Sequence, residues 1–451
     1  MTRVRFAPSP IGHLFVSGAR VALANFLHAR RHGGHMLLRF DDMERDRARP
    51  AFAEAIAHDL KWMGIDWDET FRQSDRQAIY TQAAERLLQG NRIYPCFEGD
   101  DELRAKRDQR LKRGKSPIYD RAMLKMTAEQ RAKAEANGKQ PYWRFLLSPR
   151  TLEWRDQIMG PRQAKLTAVS DPVVMRADGT PTALFASVVD DIDTGITHII
   201  RAEDNAANTG VQLDLWEALT GAPPRVQFAH LPALADTGRI RLSRKVGSLS
   251  VRTLRSDGVD PAALATCLAL IGTPSAGEPV PASVLARDFD LSRLAQTTAG
   301  FDASQLLSLN RRALGRMDFS TIADRLPSGA TEAFWLAVRG SLDLLNEVRG
   351  WWEVVAGTIV PPVIDGEGAF LSEAEALLPL EPWDDSVCRS WTNALAQATG
   401  RMGEALTMPL RLALTGEEYG PALDALLPLI GRARAASRLR LAAVCTNPRG
   451  F

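Results

Sequence analysis

Arg5-Phe6-Ala7-Pro8-Ser9-Pro10-Ile11-Gly12, running on through Gly18-Ala19-Arg20, joins a short apolar strand to a helix. Val4 to Ala7 reads as the strand. Ala19, Ala22, Leu23, Phe26 and Leu27 then recur at helical spacing, one apolar stripe of a helix. The prolines stiffen the turn, and a helix start built from small residues leaves backbone N–H groups free to face an anion. Taken alone, such a turn is more often plain connectivity. The alternation continues: His35 to Phe40 is strand-like, and Phe52 to Met63 reads as a helix with Gly64 in the C′ position. Ser74 and Gln77 make a capping-box pattern before the helix carrying Ile79, Ala83 and Leu87, which Gly90 would stop. Strand–helix alternation of this kind predicts an α/β fold with a parallel, doubly wound sheet.

Around Tyr94 the texture changes. Residues 96–190 carry a basic stretch, the aromatics Tyr142, Trp143 and Trp154, and turn signals such as Asp178-Gly179, as an inserted subdomain would. Alternation then resumes, with a strand over Ile196 to Ile200, a helix from Val211 to Leu219 ended by Gly221, and a strand near Val226 to Leu231. The loop Arg241 to Lys245 follows. From about residue 250 the chain reads as almost entirely helical. The expected organisation is 1–95 and 191–250 as two halves of one nucleotide-binding domain, 96–190 inserted between them, and helical domains behind them from 251 on.

The 451 residues exceed what one compact core organises, and 45% hydrophobic with 24% charged residues is the balance of an ordinary folded protein. No apolar run is long enough for a membrane span, and Met1 to Ala7 contains no secretory signal, so the cytoplasm is the expected location. Cys96, Cys267, Cys388 and Cys445 stand singly, which suggests buried thiols and neither zinc nor disulfides. The net charge of +2 neither demands nor excludes nucleic acid. Local clusters matter more: Arg104, Lys106, Arg107, Arg110, Lys112, Arg113 and Lys115, then Arg432, Arg434, Arg438 and Arg440. Each reads either as a solvated helix face or as a row of phosphate contacts.

Five ordered blocks resemble the bacterial glutamyl-tRNA synthetases. The opening stretch is similar to the family's R-F-A-P-S-P-T-G-x-L-H-[I/V]-G-x-A-R, and Arg39-Phe40-Asp41-Asp42 to its R-[I/F]-[E/D]-D-T-D. Val188-Val189-Asp190-Asp191, Ile200-Arg201-Ala202-Glu203-Asp204 and Arg241-Leu242-Ser243-Arg244-Lys245 fall where its remaining blocks fall. Pro409 to Gly416 resembles its C-terminal region. The resemblance implies a class I synthetase with a split Rossmann-like catalytic domain, an inserted acceptor-binding subdomain at 96–190, a stem-contact domain at 251–320 and an anticodon-binding domain at 321–451. It implies ATP with magnesium, glutamate and tRNA as ligands, no zinc, no membrane and a monomer. It places Arg5, Ser9, Asp41, Ala183, Ser187 and Arg201 at glutamate, and Pro8, Gly12, Phe15, Ser17, Gly18 and Arg244 at ATP. Arg241, Ser243, Arg244 and Lys245 would stabilise the transition state. The implied chemistry is attack of a glutamate carboxylate on the α-phosphate of ATP, then transfer to the terminal adenosine of tRNA. From the residues alone, Asp41, Asp42, Asp190 and Asp191 read equally well as strand-end turns and caps.

The pattern departs from the family at defined places. Phe15 and Ser17 stand where the family has the histidine and glycine of its nucleotide signature, Ala183 where it has a pocket tyrosine, and Asn205 where histidine or tryptophan is common. His13 lies two residues upstream of Phe15. A shift of two along a strand or turn does not bring a side chain to the same target, so His13 is not counted as a replacement. Losing one preorganised phosphate donor costs roughly 10²–10³ in rate. The expected function is ATP-dependent glutamate–tRNA ligase. The alternatives are a catalytically impaired paralogue that binds tRNA, and an enzyme that adenylates a different carboxylic acid.

Overall fold

The computed structural model describes residues 1–236, 249–273 and 277–445. The chain divides into two compact units, Met1–Leu254 with Ala265–Asp302 and Arg255–Leu264 with Ala303–Phe451.

Parallel strands build the first unit. Arg3–Phe6 pairs in parallel with His35–Phe40, which pairs in parallel with Glu69–Arg72. A second sheet holds His198–Ala202 parallel to Gln227–Leu231, next to Thr151–Asp156 and Gly160–Lys165. Thr197 ties the two sheets together: its N–H donates to the Arg3 carbonyl at 2.9 Å, and its hydroxyl accepts from the Arg3 N–H at 2.8 Å. Val4, Phe6, Met36, Leu37 and Leu38 are all buried, so the strands are covered on both faces, as a parallel sheet requires. The α/β fold is thus the one expected. The stretch 96–190 contributes to two sheets, because Tyr142–Phe145 and Val173–Met175 form an antiparallel sheet with Ile93–Cys96.

Helix Val16–Arg31 buries Ala19, Ala22, Leu23, Phe26 and Leu27. Each fully buried Leu or Phe contributes about 1.5–3 kcal/mol. Two polar side chains are buried with them. Asn25 Nδ2 donates to the Ile200 carbonyl at 3.0 Å, and Arg20 donates to the carbonyls of Pro232 at 2.9 Å and Ile271 at 3.3 Å. Burial lowers the Arg20 pKa to about 10, against the attraction of Glu203. Arg20 therefore clamps the helix in place.

Three local expectations differ from what folds. Ser74 and Gln77 form no capping box: Asp42 captures Ser74 instead, accepting from its N–H at 2.8 Å and its hydroxyl at 2.7 Å, and the helix begins at Gln77 itself. Asp190 and Asp191 cap no strand; they lie buried inside helix Ala183–Asp193. Arg438 is no surface cation. It is buried and donates to the carbonyls of Leu414, Val354 and Gly357.

Three imidazoles meet at the far end of helix Val16–Arg31. The His28 ring centre lies 4.4 Å from that of His32 and 4.8 Å from that of His198, and its Nε2 is buried without a hydrogen-bond partner among the described residues. Burial first, then His198, His32 and Arg31, lower the His28 pKa to about 3, with Asp290 opposing. In the unfolded chain a histidine titrates near 6.5, so unfolding takes up a proton between those values. Stability contributed by the neutral ring is therefore complete above about pH 6.5 and is lost as pH falls toward about 3. A His28→Leu variant is expected to flatten this acid limb by up to about 1.4 kcal/mol per pH unit. Denaturant midpoints at pH 7 and pH 5 check it, and an unchanged acid limb would contradict the assignment.

The second unit is helical, with Trp335 and Trp391 fully buried and their indole N–H groups donating to the carbonyls of Met317 at 2.8 Å and Ala374 at 2.9 Å. Trp351 and Trp352 are half-buried against the same core. These tryptophans pack the core. Cys96, Cys267 and Cys388 are buried free thiols; the Cys445 side chain lies outside the described residues.

Candidate active site

The turn quoted at the outset closes over the ends of the first two strands. The Asp41 N–H donates to the Pro8 carbonyl at 3.0 Å, the Arg49 N–H to the Pro10 carbonyl at 3.0 Å, and the Val251 N–H to the Leu14 carbonyl at 2.8 Å. Phe15 is the N-cap of helix Val16–Arg31, and no side chain caps the helix start. Its first turn carries no acidic residue, and Ala19 is the first residue whose N–H reaches back into the helix, to the Phe15 carbonyl. The free N–H groups ahead of it make this helix end an anion acceptor.

A cavity of about 1040 Å³ opens in front of that helix end. Arg5, Ser9, Asp41, Ala183, Ser187 and Arg201 line it, together with Pro8, Gly12, Phe15, Ser17 and Gly18. The sequence reading of these positions scatters them over some 200 residues; the fold gathers all of them around one cavity. Arg241, Ser243, Arg244 and Lys245 lie outside the described residues.

Behind the wall runs a buried ion network. Arg39 is fully saturated: Nε and Nη2 donate to Asp41 at 2.6 and 3.2 Å, Nη1 to Asp191 at 2.9 Å, and Nη2 also to the Ser187 hydroxyl at 2.9 Å. Burial works against its charge, but Asp41, Asp191 and Asp190 outweigh that and hold its pKa above the ordinary arginine value. Asp190 in turn accepts from Gln73 and Arg76 at 2.8 Å and from the Tyr80 hydroxyl at 3.0 Å. Arg39 is scaffold, with nothing left to offer a ligand.

Arg5 and Arg201 differ. Arg5 spends only Nε, on Asp191 at 3.1 Å, and its two amino groups have no partner among the described residues. Arg201 donates from Nε to His230 Nε2 at 3.0 Å, and from Nη2 to Thr209 Oγ1 at 2.9 Å and the Asn205 carbonyl at 3.2 Å; Nη1 has no partner among the described residues. An arginine has no lone pair to accept with, so His230 Nε2 must be the acceptor and Nδ1 carries the proton toward Asp156, 2.5 Å away. Burial, opposed by the Asp156 hydrogen bond, lowers the His230 pKa, which keeps the ring in that neutral form. Burial and then the like charge of Arg5 lower the Arg201 pKa to about 9. The Arg201 guanidinium thus sits in a field that a bound carboxylate would relieve. Asp41, held in place by Arg39, offers a carboxylate to the same space. The wall can hold a molecule with carboxylates and an ammonium, beside an anion at the helix start.

Sequence reasoning missed the support under Arg201. His230 and Asp156 carry no motif, and only the parallel register that sets Arg201 opposite His230 brings them together. It also missed Gln212, a buried amide on the cavity wall.

With this geometry in place, likeness to known proteins is informative. The family described as tRNA synthetases class I (E and Q), catalytic domain, matches residues 1–308, and the anticodon binding domain family matches residues 367–443. The chain is 57% identical to glutamate–tRNA ligase 2 of Granulibacter bethesdensis over 98% of each chain. It is 55% identical to the protein of the same name from Gluconacetobacter diazotrophicus, over 98% of this chain and 100% of that one. Among solved structures it resembles the glutamate-tRNA synthetase of Elizabethkingia anophelis, with a TM-score of 0.84 and 26% identity over 98% of this chain and 99% of that one. A glutamate tRNA ligase from Elizabethkingia meningosepticum, solved in complex with its amino acid, gives a TM-score of 0.83 at 25% identity over the same shares.

Proposed function

The chain belongs to the class I tRNA synthetase family for glutamate and glutamine, and on that premise we propose that it is a ligase that joins glutamate to tRNA at the expense of ATP. The observation that carries the choice of amino acid is the pair of guanidinium groups, Arg5 and Arg201, whose free amino groups share one cavity with Asp41. A dicarboxylate with an ammonium group complements that set of charges: two cations for its carboxylates, one carboxylate for its amine. Ser9 and Ser187 add hydroxyls on the same wall, and Ala183 leaves it open there.

The triphosphate is assigned to the uncapped start of helix Val16–Arg31, with Pro8, Gly12, Ser17 and Gly18 beside it. Arg241, Ser243, Arg244 and Lys245 are assigned to the same phosphates by motif alone. Magnesium is assigned to the triphosphate itself, since this ion binds through substrate phosphates and keeps much of its water. Orientation of the carboxylate against the α-phosphate, and stabilisation of the charge that builds on it, are then the protein's contribution. The match to an anticodon binding domain over residues 367–443 supports engagement of a whole tRNA; a cytoplasmic monomer, with 96–190 at the acceptor end, completes the proposal. Among the described residues no helix is long and apolar enough to cross a membrane.

Phe15 and Ser17 favour one second reading, a paralogue that binds tRNA but activates slowly. A hydrocarbon ring at residue 15 offers no donor to phosphate. We expect the Phe15→His, Ser17→Gly double variant to charge tRNA about tenfold faster or more if the altered signature limits the rate, since one such donor is worth roughly 10². Equal rates would show the signature is not limiting. The ligase reading itself is tested by AMP release, which is expected only when glutamate and tRNA are both present. AMP release with another amino acid in place of glutamate would overturn the amino-acid assignment.

A further inference from the structure

Between Phe6 and Phe15 the backbone has no regular secondary structure, so side-chain alternation does not govern where His13 points. His13 lines the same cavity as Gly12, Phe15, Ser17 and Gly18 at the start of helix Val16–Arg31. Its ring is held edge to face against Phe52, with centres 5.3 Å apart and planes at 87°. Neither ring nitrogen has a hydrogen-bond partner among the described residues. Nδ1 is enclosed, which leaves Nε2 as the nitrogen open to the cavity.

Those observations settle which tautomer is cheaper. An enclosed N–H without an acceptor is rarer and costlier than an enclosed lone pair, so the proton sits on Nε2, and the ring presents a donor to the cavity. The groups around it are suited to an anion: free helix N–H groups, the Ser17 hydroxyl, and no acidic residue in the first turn. We propose that His13 is a nucleotide-contacting residue whose Nε2–H donates to a phosphate oxygen of ATP, supplying from residue 13 a donor that Phe15 cannot. Phe52 is its positioning residue. The inference rests on the ligase reading for the identity of the nucleotide, and it makes no claim on the glutamate subsite.

The test uses the full chain and two readouts, the ATP dependence of tRNA charging and the dissociation constant of ATP measured directly by calorimetry. His13→Ala is expected to raise both the KM and the Kd for ATP about tenfold or more, with KM for glutamate and the tRNA dissociation constant changed less than twofold. His13→Gln places an amide N–H near the position of Nε2 and is expected to recover much of the loss, whereas His13→Asn reaches only the position of Nδ1 and is not. Unchanged ATP constants in His13→Ala overturn the proposal, as does equal recovery by Asn and Gln. A fall in thermal midpoint with unchanged ATP affinity overturns it too, since that is a purely structural role. Because ATP binding is read separately from charging, a wild type that binds ATP but charges nothing would remove the ligase reading while leaving the His13 comparison decisive.

Discussion

An Arg201→Leu variant is expected to lose about three orders of magnitude in kcat/KM for glutamate, with KM for ATP little changed. The guanidinium is fixed by three donations, to His230, Thr209 and the Asn205 carbonyl, and its remaining amino group faces the cavity. A charged hydrogen bond to a bound carboxylate contributes roughly 1.5–3 kcal/mol, and loss of the charge from a water-poor site adds to that. Arg201→Lys is expected to restore little, because an ammonium cannot satisfy His230 and Thr209 and still reach a carboxylate with the same geometry. Steady-state charging at varied glutamate decides it. A less than tenfold effect for Arg201→Leu would remove Arg201 from the amino-acid subsite.

Replacement of Asp191 by leucine is expected to produce the largest loss of stability. Asp191 is 2% exposed and holds two cations, Arg5 at 3.1 Å and Arg39 at 2.9 Å. Without it, Arg39 keeps Asp41 and Asp190, but Arg5 loses its one carboxylate partner among the described residues, and breaking a buried pair in this way costs about 3–5 kcal/mol. Spread over a unit of this size, that is a drop of about 5–8 °C in thermal midpoint. Asp193, two residues along the same helix, pairs with Arg76 at 2.5 Å but is 49% exposed. Asp193→Asn is expected to cost less than about 1 kcal/mol, as exposed pairs do. Differential scanning calorimetry of the two variants side by side separates a buried scaffold from a generic acidic helix; equal midpoints would refute the scaffold role.

What the sequence made legible divides along a physical line. Elements set by local periodicity were readable: the stripe of Ala19, Ala22, Leu23, Phe26 and Leu27, the strand His35–Phe40, and Gly221 at positive φ after helix Thr209–Thr220 all follow from side-chain spacing or backbone freedom. The positions that the resemblance marked between Arg5 and Arg201 line one cavity, while Arg241 to Lys245 lie outside the described residues. Pairings across long sequence separations were not readable. Ser74 looked like a helix cap and is taken by Asp42, 32 residues away; Asp191 meets Arg5 across 186 residues. His230 gave no signal at all, since one imidazole in an apolar strand is usually packing, and its role under Arg201 exists only through strand register. The spacing argument that set His13 aside did not anticipate that residue 13 lines the cavity beside Phe15, because two prolines and a glycine keep the backbone irregular there.

Transfer of labelled glutamate from solution to total tRNA by the wild-type protein is the most direct test of the ligase reaction. The expected product is an alkali-labile glutamyl ester on tRNA that forms only with ATP and magnesium and disappears when the tRNA 3′ end is oxidised with periodate. Retention of tRNA binding with no ester formed, at any concentration of ATP and glutamate, would contradict it.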